Sequence, residues 1–232
     1  MSASATIHLR PHAEVAARVL LPGDPGRALR LAQQLLEAPK MLNHNRGLWG
    51  YSGAASDGEL LTIQSTGMGG PSAAIVAEEL IALGARRLLR VGTCGALDGG
   101  LELGGLLVAD GVLGDDGASR ALGASGTLRP DADLQAALVR AAGADAGAGL
   151  VVSADLFYDP DAGRAARWIA AGALAVEMEA ATLLAVAARH GAAAACLLAV
   201  SDVVADRTRI GAEGLEAAER ELGRIGAAAL AA

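Results

Sequence analysis

Short apolar runs alternate along this chain with longer alanine-rich stretches whose apolar positions recur every three or four residues. The first pattern fits strands, whose side chains alternate between faces, and the second fits helices with one buried stripe. This predicts strands at Arg18–Leu21, Leu48–Ser52, Leu60–Gln64, Leu88–Gly92, Gly105–Ala109, Leu150–Ser153, Leu174–Val176 and Cys196–Val200. It predicts helices at Gly26–Leu36, Pro71–Leu83, Asp131–Ala142, Ala162–Ala171, Glu179–His190 and Gly214–Ala231. Alternation of the two types favours a layered α/β fold. Pro71 opens a helix where its missing N–H costs nothing, and Gly84 and Gly191 follow helices as C-terminal caps. Gly111–Arg129 and Ala141–Gly149 read as loops or lids, too short for domain linkers. With 232 residues, one α/β domain over 1–232 is expected, since such domains reach roughly 250 residues without splitting.

Composition narrows the class. The chain is 53% hydrophobic, but much of that is alanine and no apolar run reaches the ~18 residues of a spanning helix, so no membrane association is expected. Met1–Arg10 has no basic segment leading into a continuous apolar stretch, and a cytoplasmic location is expected. Cys94 and Cys196 stand far apart outside any CxxC pattern, which disfavours disulfides and thiolate metal sites. Twenty-six acidic against 19 basic residues give a net charge of −7, unlike a nucleic-acid-binding surface. Lys40 is the sole lysine. The arginines, with their planar fork, leave a small anionic substrate open.

Six segments carry chemistry. Pro22-Gly23-Asp24-Pro25-Gly26-Arg27 follows a strand and enters a helix, offering backbone N–H groups and a cation to an anion, or simply making a βα turn. Ser65-Thr66-Gly67-Met68-Gly69-Gly70-Pro71 repeats that device and matches neither GxxxxGK[ST] nor GxGxxG. Arg90 lies inside an apolar strand, where a cation needs an anionic partner; that partner is either a ligand or one of the protein's own carboxylates. Cys94 beside it has no neighbouring histidine and reads as a packed thiol. Phe157-Tyr158 leaves a strand end where a flat ligand or the core would meet it. Glu177 and Glu179 flank Met178 at a strand-to-helix junction, where they either steady the helix N-terminus or accept sugar hydroxyls. Ser201-Asp202 ends an apolar strand, making Asp202 a candidate general acid or base, or a cap for the next turn.

Together, PGDPGRA, NHNRGLWGYSG, STGMGGPSAA, RVGTCGAL, SADLFY, VEMEA and VSD run in order from residue 22 to 202, and this series resembles the nucleoside phosphorylase family, specifically its bacterial hexameric purine-specific members. The resemblance implies a three-layer α/β sandwich with a central twisted mixed sheet flanked by helices. It implies reversible phosphorolysis of purine nucleosides and deoxynucleosides by a pentosyltransferase of purine salvage. Phosphate would be held by Gly23, Arg27, Arg90 and Thr93, with Arg46 reaching in from a neighbouring subunit. Met68, Met178 and Glu179 would contact the ribose, and His8, or less favourably His12, would reach its 5′ hydroxyl from the neighbour. Cys94, Gly95, Phe157, Val176, the Glu177 backbone and Ser201 would line the base pocket, and Asp202 would protonate N7. Phosphate is then a co-substrate, and neither metal nor organic cofactor is implied. A homohexamer built as a trimer of dimers would complete each site.

One departure concerns an arginine that family members carry beyond the Ser-Asp pair. An ungapped reading puts Leu215 there, leaving Arg207 or Arg209 as substitutes. The rivals are separated by residues. Uridine phosphorylases carry a glutamine after the Phe-Tyr position, absent from Asp159-Pro160-Asp161-Ala162-Gly163-Arg164. Water-using nucleosidases lack the phosphate arginines, while Arg27, Arg46 and Arg90 are all present. A non-catalytic nucleoside binder would not need both Glu179 and Asp202.

Overall fold

A computed structural model describes residues 6–98 and 100–232; Met1–Ala5, on which part of the N-terminal reading rests, lie outside the described residues. The strands are β1 (Arg18–Leu21), β2 (Glu37–Asn43), β3 (Gly50–Ala54), β4 (Leu60–Gln64), β5 (Arg87–Ala96), β6 (Leu106–Asp115), β7 (Thr127–Leu128), β8 (Ala146–Ala154), β9 (Ala173–Glu177) and β10 (Ala193–Val203). The α-helices are α1 (Pro25–Leu35), α2 (Gly70–Ala82), α3 (Gly117–Ala121), α4 (Ala132–Ala142), α5 (Arg164–Ala170), α6 (Ala180–His190) and α7 (Ala212–Ala231).

The strands form one mixed sheet in the order β10-β6-β8-β9-β5-β1-β4-β3-β2, and β10 also pairs with β5. That extra pairing closes β5, β10, β6, β8 and β9 into a ring, with β1, β4, β3 and β2 extending from it. The long β5 makes this possible: its first half pairs in parallel with β1 and its last residues pair antiparallel with β9, while β10 follows most of its length.

Both faces of the sheet are covered, as expected of strands with nearly continuous apolar runs. Val19, Leu21, Leu88, Cys196 and Leu198 pack toward α2 and α6. Leu20, Leu89, Val91, Leu197 and Ala199 pack toward α1, α4 and α7. Trp168 of α5 forms a smaller cluster with Val152 and Ala154 of β8. Arg90 fixes the register of β5, because a one-residue slip would turn its charge into the second core. Helix α7 approaches closely through small residues: a Cβ at Gly223 would lie 2.4 Å from Leu31 Cδ2, and one at Gly226 would lie 2.8 Å from Leu20 Cδ2.

Every strand and helix predicted from the pattern is present, several of them longer than expected. The pattern missed β2, β7 and α3. Strand β2 is an edge strand whose first five residues are exposed and which contains Pro39, so it carries no apolar alternation. The expected loop 111–129 contains the end of β6, α3 and β7, the last two being too short to show a period. The expected loop 141–149 contains the start of β8, where glycines replace apolar residues because Leu174 fills the space: a Cβ at Gly149 would lie 2.4 Å from its Cδ1.

Candidate active site

The C-terminal ends of β1, β4, β8, β9 and β10 meet the middle of β5 around a cleft of about 1040 Å³. Strand ends of this kind are where open α/β sheets bind ligands. The cleft is lined by Gly23, Arg27, Met68, Arg90, Thr93, Cys94, Gly95, Phe157, Val176, Glu177, Met178, Glu179, Ser201 and Asp202. Fourteen of the sixteen residues singled out from the sequence therefore converge. His8 and Arg46 do not reach this cleft.

One end is built around Arg90. Its Nε donates to Glu177 Oε2 at 2.8 Å, and its Nη2 lies 2.5 Å from Glu179 Oε2. Of the alternatives left open for this arginine, the protein's own carboxylates are its partners here; among the described residues Nη1 is buried without a hydrogen-bond partner and faces the Gly23 turn, 4.0 Å from where a Gly23 Cβ would stand. An unpartnered buried donor is costly, and an anion in the cleft would satisfy it. Burial alone would lower the Arg90 pKa, but the Glu179 and Glu177 carboxylates raise it above the usual arginine value. The guanidinium lies over Gly92, where a Cβ would stand 2.7 Å from its Cζ. Glycine at 92 is what lets the side chain fold down along the strand.

The two glutamates divide their work. Glu177 accepts from the backbone N–H groups of Glu179 and Ala180 and from the Ser153 hydroxyl, so its carboxylate is consumed by the start of α6 and by Arg90. It offers a ligand only its main chain. Glu179 accepts from Gly69 N–H through Oε1 at 2.5 Å, tying α6 to the turn after β4. Burial pushes the Glu179 carboxyl up, Arg90 opposes that, and Glu177 adds to the rise, leaving the pKa above normal.

The turns after β1 and β4 are zipped together, with Thr66 N–H donating to Pro22 O at 2.9 Å and Gly67 N–H to Gly23 O at 3.1 Å. Gly67 and Gly69 sit at φ +73° and +86°, conformations that favour glycine. Arg27, in the first turn of α1, is buried; Asp24 caps the helix by accepting from Arg27 N–H, and Arg27 Nε donates to Glu219 Oε1 at 2.8 Å.

The other end holds Asp202. Ser201 Oγ donates to its Oδ1 at 2.7 Å, and a Cβ at Gly95 would lie 3.0 Å from its Oδ2. The Arg90 guanidinium lies against Gly92 and the Asp202 carboxylate against Gly95 of the same strand, β5. Arg90 and Asp202 both line the cleft. Cys94 is buried and its thiol is pushed up to about 12, chiefly by burial, so it remains a packed thiol.

Beyond Asp202 the chain doubles back, and Arg209 forms a backbone bridge opposite Asp202. The Arg209 guanidinium carbon lies 5.8 Å from the centre of the Phe157 ring, which meets Tyr158 edge-on at 5.1 Å. Arg207 and Arg209 both line the cleft, whereas Leu215 lies on the first turn of α7 outside it. Arg207 and Arg46 are non-glycine residues at φ +61° and +58°, strain of the kind that gathers at functional sites. Arg46 is exposed in a short turn, and His8 Nδ1 lies 2.9 Å from Glu79.

The sequence reading missed Ser153 and Glu219 as the residues that hold Glu177 and Arg27. Glu219 had a signal: it falls in phase with Leu222, Ile225 and Ala229 on the buried face of α7, a charge among apolar positions just as Arg90 is. Among the described residues, no group of three or more His, Cys, Asp or Glu side chains is arranged to hold a metal ion, and no helix is long and apolar enough to cross a membrane.

Comparison with known proteins agrees with this geometry. The model of the Phosphorylase superfamily matches residues 17–232. The chain is 36% identical over 197 residues to a DeoD-type purine nucleoside phosphorylase of Clostridium novyi (strain NT), covering 82% of this chain and 84% of that protein. A DeoD-type purine nucleoside phosphorylase of Geobacillus kaustophilus (strain HTA426) is 39% identical over 197 residues, 82% of each chain. Another, of Clostridium beijerinckii (strain ATCC 51743 / NCIMB 8052), is 37% identical over 206 residues, 85% of this chain and 86% of its own. With the match running through the β1 turn, β5, α6 and β10, the chain belongs to the phosphorylase superfamily.

Proposed function

We propose that the protein catalyses reversible phosphorolysis of purine ribo- and deoxyribonucleosides, releasing the base and the pentose 1-phosphate. The observation that carries this reading is the buried Nη1 of Arg90, without a hydrogen-bond partner among the described residues, in a cleft that Asp202 also lines. Glycosidic cleavage builds positive charge on the sugar and negative charge on the leaving base. Phosphate held by Gly23, Arg27, Arg90 and Thr93 attacks C1′, the C1′–N9 electron pair passes to the base, and protonated Asp202 delivers its proton to N7. Positioning and preorganised donors supply most of the acceleration, and general acid catalysis is typically worth about 10²–10⁴-fold. Glu179 accepts the 2′ and 3′ hydroxyls beside Met68 and Met178. Cys94, Gly95, Phe157, Val176, the Glu177 backbone and Ser201 surround the base, with Arg209 over the Phe157 ring. Phosphate is the only co-substrate in this scheme, and no metal or organic cofactor takes part.

His8 and Arg46 belong, in this reading, to a neighbouring subunit's site within a homohexamer. Their distance from their own cleft and the exposure of Ile7, Met41, Trp49 and Met68 support that placement. Sedimentation showing an active monomer would overturn it. The reading places the enzyme in the cytoplasm, where free thiols such as Cys94 and Cys196 persist. The deciding assay follows purine release from inosine, guanosine and adenosine, with uridine as control, in the presence and absence of phosphate. Phosphate-dependent release is expected. Release without phosphate would make the protein a nucleosidase, preference for uridine would move it to pyrimidines, and binding without turnover would make it a non-catalytic receptor.

A further inference from the structure

Behind Arg27 stands a carboxylate that does not line the cleft. Glu219 of α7 is 4% exposed, and it accepts from Arg27 Nε at 2.8 Å through Oε1 and from Arg30 Nη2 at 2.5 Å through Oε2. Arg27 is itself buried, lines the cleft, and makes no other side-chain hydrogen bond among the described residues. Asp24 holds only the Arg27 backbone N–H. Arg30 is about half exposed, so its guanidinium faces solvent on the far side of the carboxylate.

From this arrangement we infer that Glu219 is a positioning residue for phosphate, acting through Arg27. The guanidinium is a rigid plane with five donors. Engaging Nε fixes that plane and leaves the two terminal nitrogens for the ligand. Without the clamp, a long side chain at the start of α1 would sample several rotamers, and the pair of donors would have to be ordered each time phosphate binds. The competing effect is electrostatic, since a carboxylate behind the arginine weakens its attraction for an anion. Arg30 offsets that by neutralising Glu219 from outside, so clamping dominates. Glycines 223 and 226 let α7 come close enough for the carboxylate to reach.

This inference rests on the reading that Arg27 holds phosphate, and calorimetric titration of the full chain with inorganic phosphate tests the two separately. Glu219→Ala is expected to weaken phosphate affinity by about tenfold, while the nucleoside KM moves by less than about twofold, the loss being confined to one misplaced donor pair. Glu219→Gln retains an acceptor for Nε and is expected to recover most of the affinity. Glu219→Asp keeps the charge but is one methylene too short, and is expected to behave like the alanine variant. In an Arg27→Ala background, Glu219→Ala should change phosphate affinity by less than about twofold. Unchanged or tighter phosphate binding by Glu219→Ala, wild-type affinity in Glu219→Asp, or an equal loss in the Arg27→Ala background would each overturn the assignment. If Glu219→Ala melts below the assay temperature, the Gln and Asp variants decide it alone. A wild-type protein that binds phosphate without phosphorolysis overturns the proposed activity but leaves this comparison decisive. One that binds no phosphate overturns both.

Discussion

Replacing Gly92 by alanine disturbs the anion site without removing any group from it. A Cβ at Gly92 would stand 2.7 Å from Cζ and Nη2 of Arg90 and 3.1 Å from Nη1, whereas ordinary contact begins at 3.4 Å. The guanidinium must therefore move by about 0.7 Å, a displacement of the size that costs on the order of 10²-fold when it misplaces a reacting partner. A surface arginine would swing aside at no cost. Arg90 cannot, because Glu177 and Glu179 hold Nε and Nη2 in a buried site. We expect kcat/KM for phosphate to fall by about 10- to 100-fold, or about 1.4–2.7 kcal/mol of transition-state stabilisation. Overpacking should cost about 1–3 kcal/mol of stability, so the variant should fold. Initial rates at varied phosphate with saturating nucleoside, alongside a melting curve, measure both effects. Gly211→Ala is the control, since nothing lies within 4 Å of a Cβ there. A folded Gly92→Ala enzyme with wild-type kcat/KM for phosphate would refute the role given to the Arg90 guanidinium.

Four further outcomes are expected. Asp202→Asn should lower kcat by about 10²–10⁴-fold on purines that leave only when protonated, and unchanged rates on every purine would remove Asp202 from the chemistry. Glu177→Ala should reduce unfolding free energy by about 3–5 kcal/mol, because it leaves the Arg90 charge buried and partly unpaired; a denaturation midpoint equal to wild type would contradict this. Burial pushes the Cys94 thiol up to about 12 and raises Cys196 well above the ordinary range, so neither should react with a disulfide reagent at pH 8 until the chain unfolds. Hydrogen bonds from Arg18 hold the Asp57 carboxyl down at about 2. A folded-state pKa below the unfolded value of 3.8 adds stability above that pH and loses it as pH falls toward 2. The stability gap between wild type and Asp57→Asn, about 0.2–1 kcal/mol for a partly exposed pair, should therefore close between pH 5 and 2, and a constant gap would contradict the pairing.

What could be read in the sequence was whatever repeats locally. The apolar runs gave β1, β4, β5, β8 and β10 because each is buried on both faces, and Pro71 marked the start of α2 because it sits in the first helical turn. Strand β2 escaped because an edge strand needs no apolar face. Arg90 was legible as an anomaly but not as an answer, since its partners Glu177 and Glu179 lie 87 and 89 positions away and the strand order that joins them is not a local property. Glu219 and Arg27 are 192 residues apart, and only the packing of α7 against α1 brings them together. The positions of Arg207 and Arg209 depend on a reversal after β10 with Arg207 at positive φ, a conformation that no glycine or asparagine announces.

The same pairings bear on how an acidic chain would hold the phosphate of the proposed reaction. Arg90 is matched by Glu177 and Glu179, and Arg27 and Arg30 by Glu219 together with Asp24, 3.9 Å from Arg30, so the cluster as a whole carries no net positive charge. A site of this kind does not gather anions by its field. It offers donors whose directions are already fixed, in a buried setting where each hydrogen bond is worth more than in water. Direction then discriminates where charge does not. An oxyanion with several acceptor oxygens can engage Arg90 Nη1, the terminal nitrogens of Arg27 and the backbone of the Gly23 turn together, whereas a halide of equal charge can satisfy only part of that set. The carboxylates that weaken the field are the same groups that hold the donors in place.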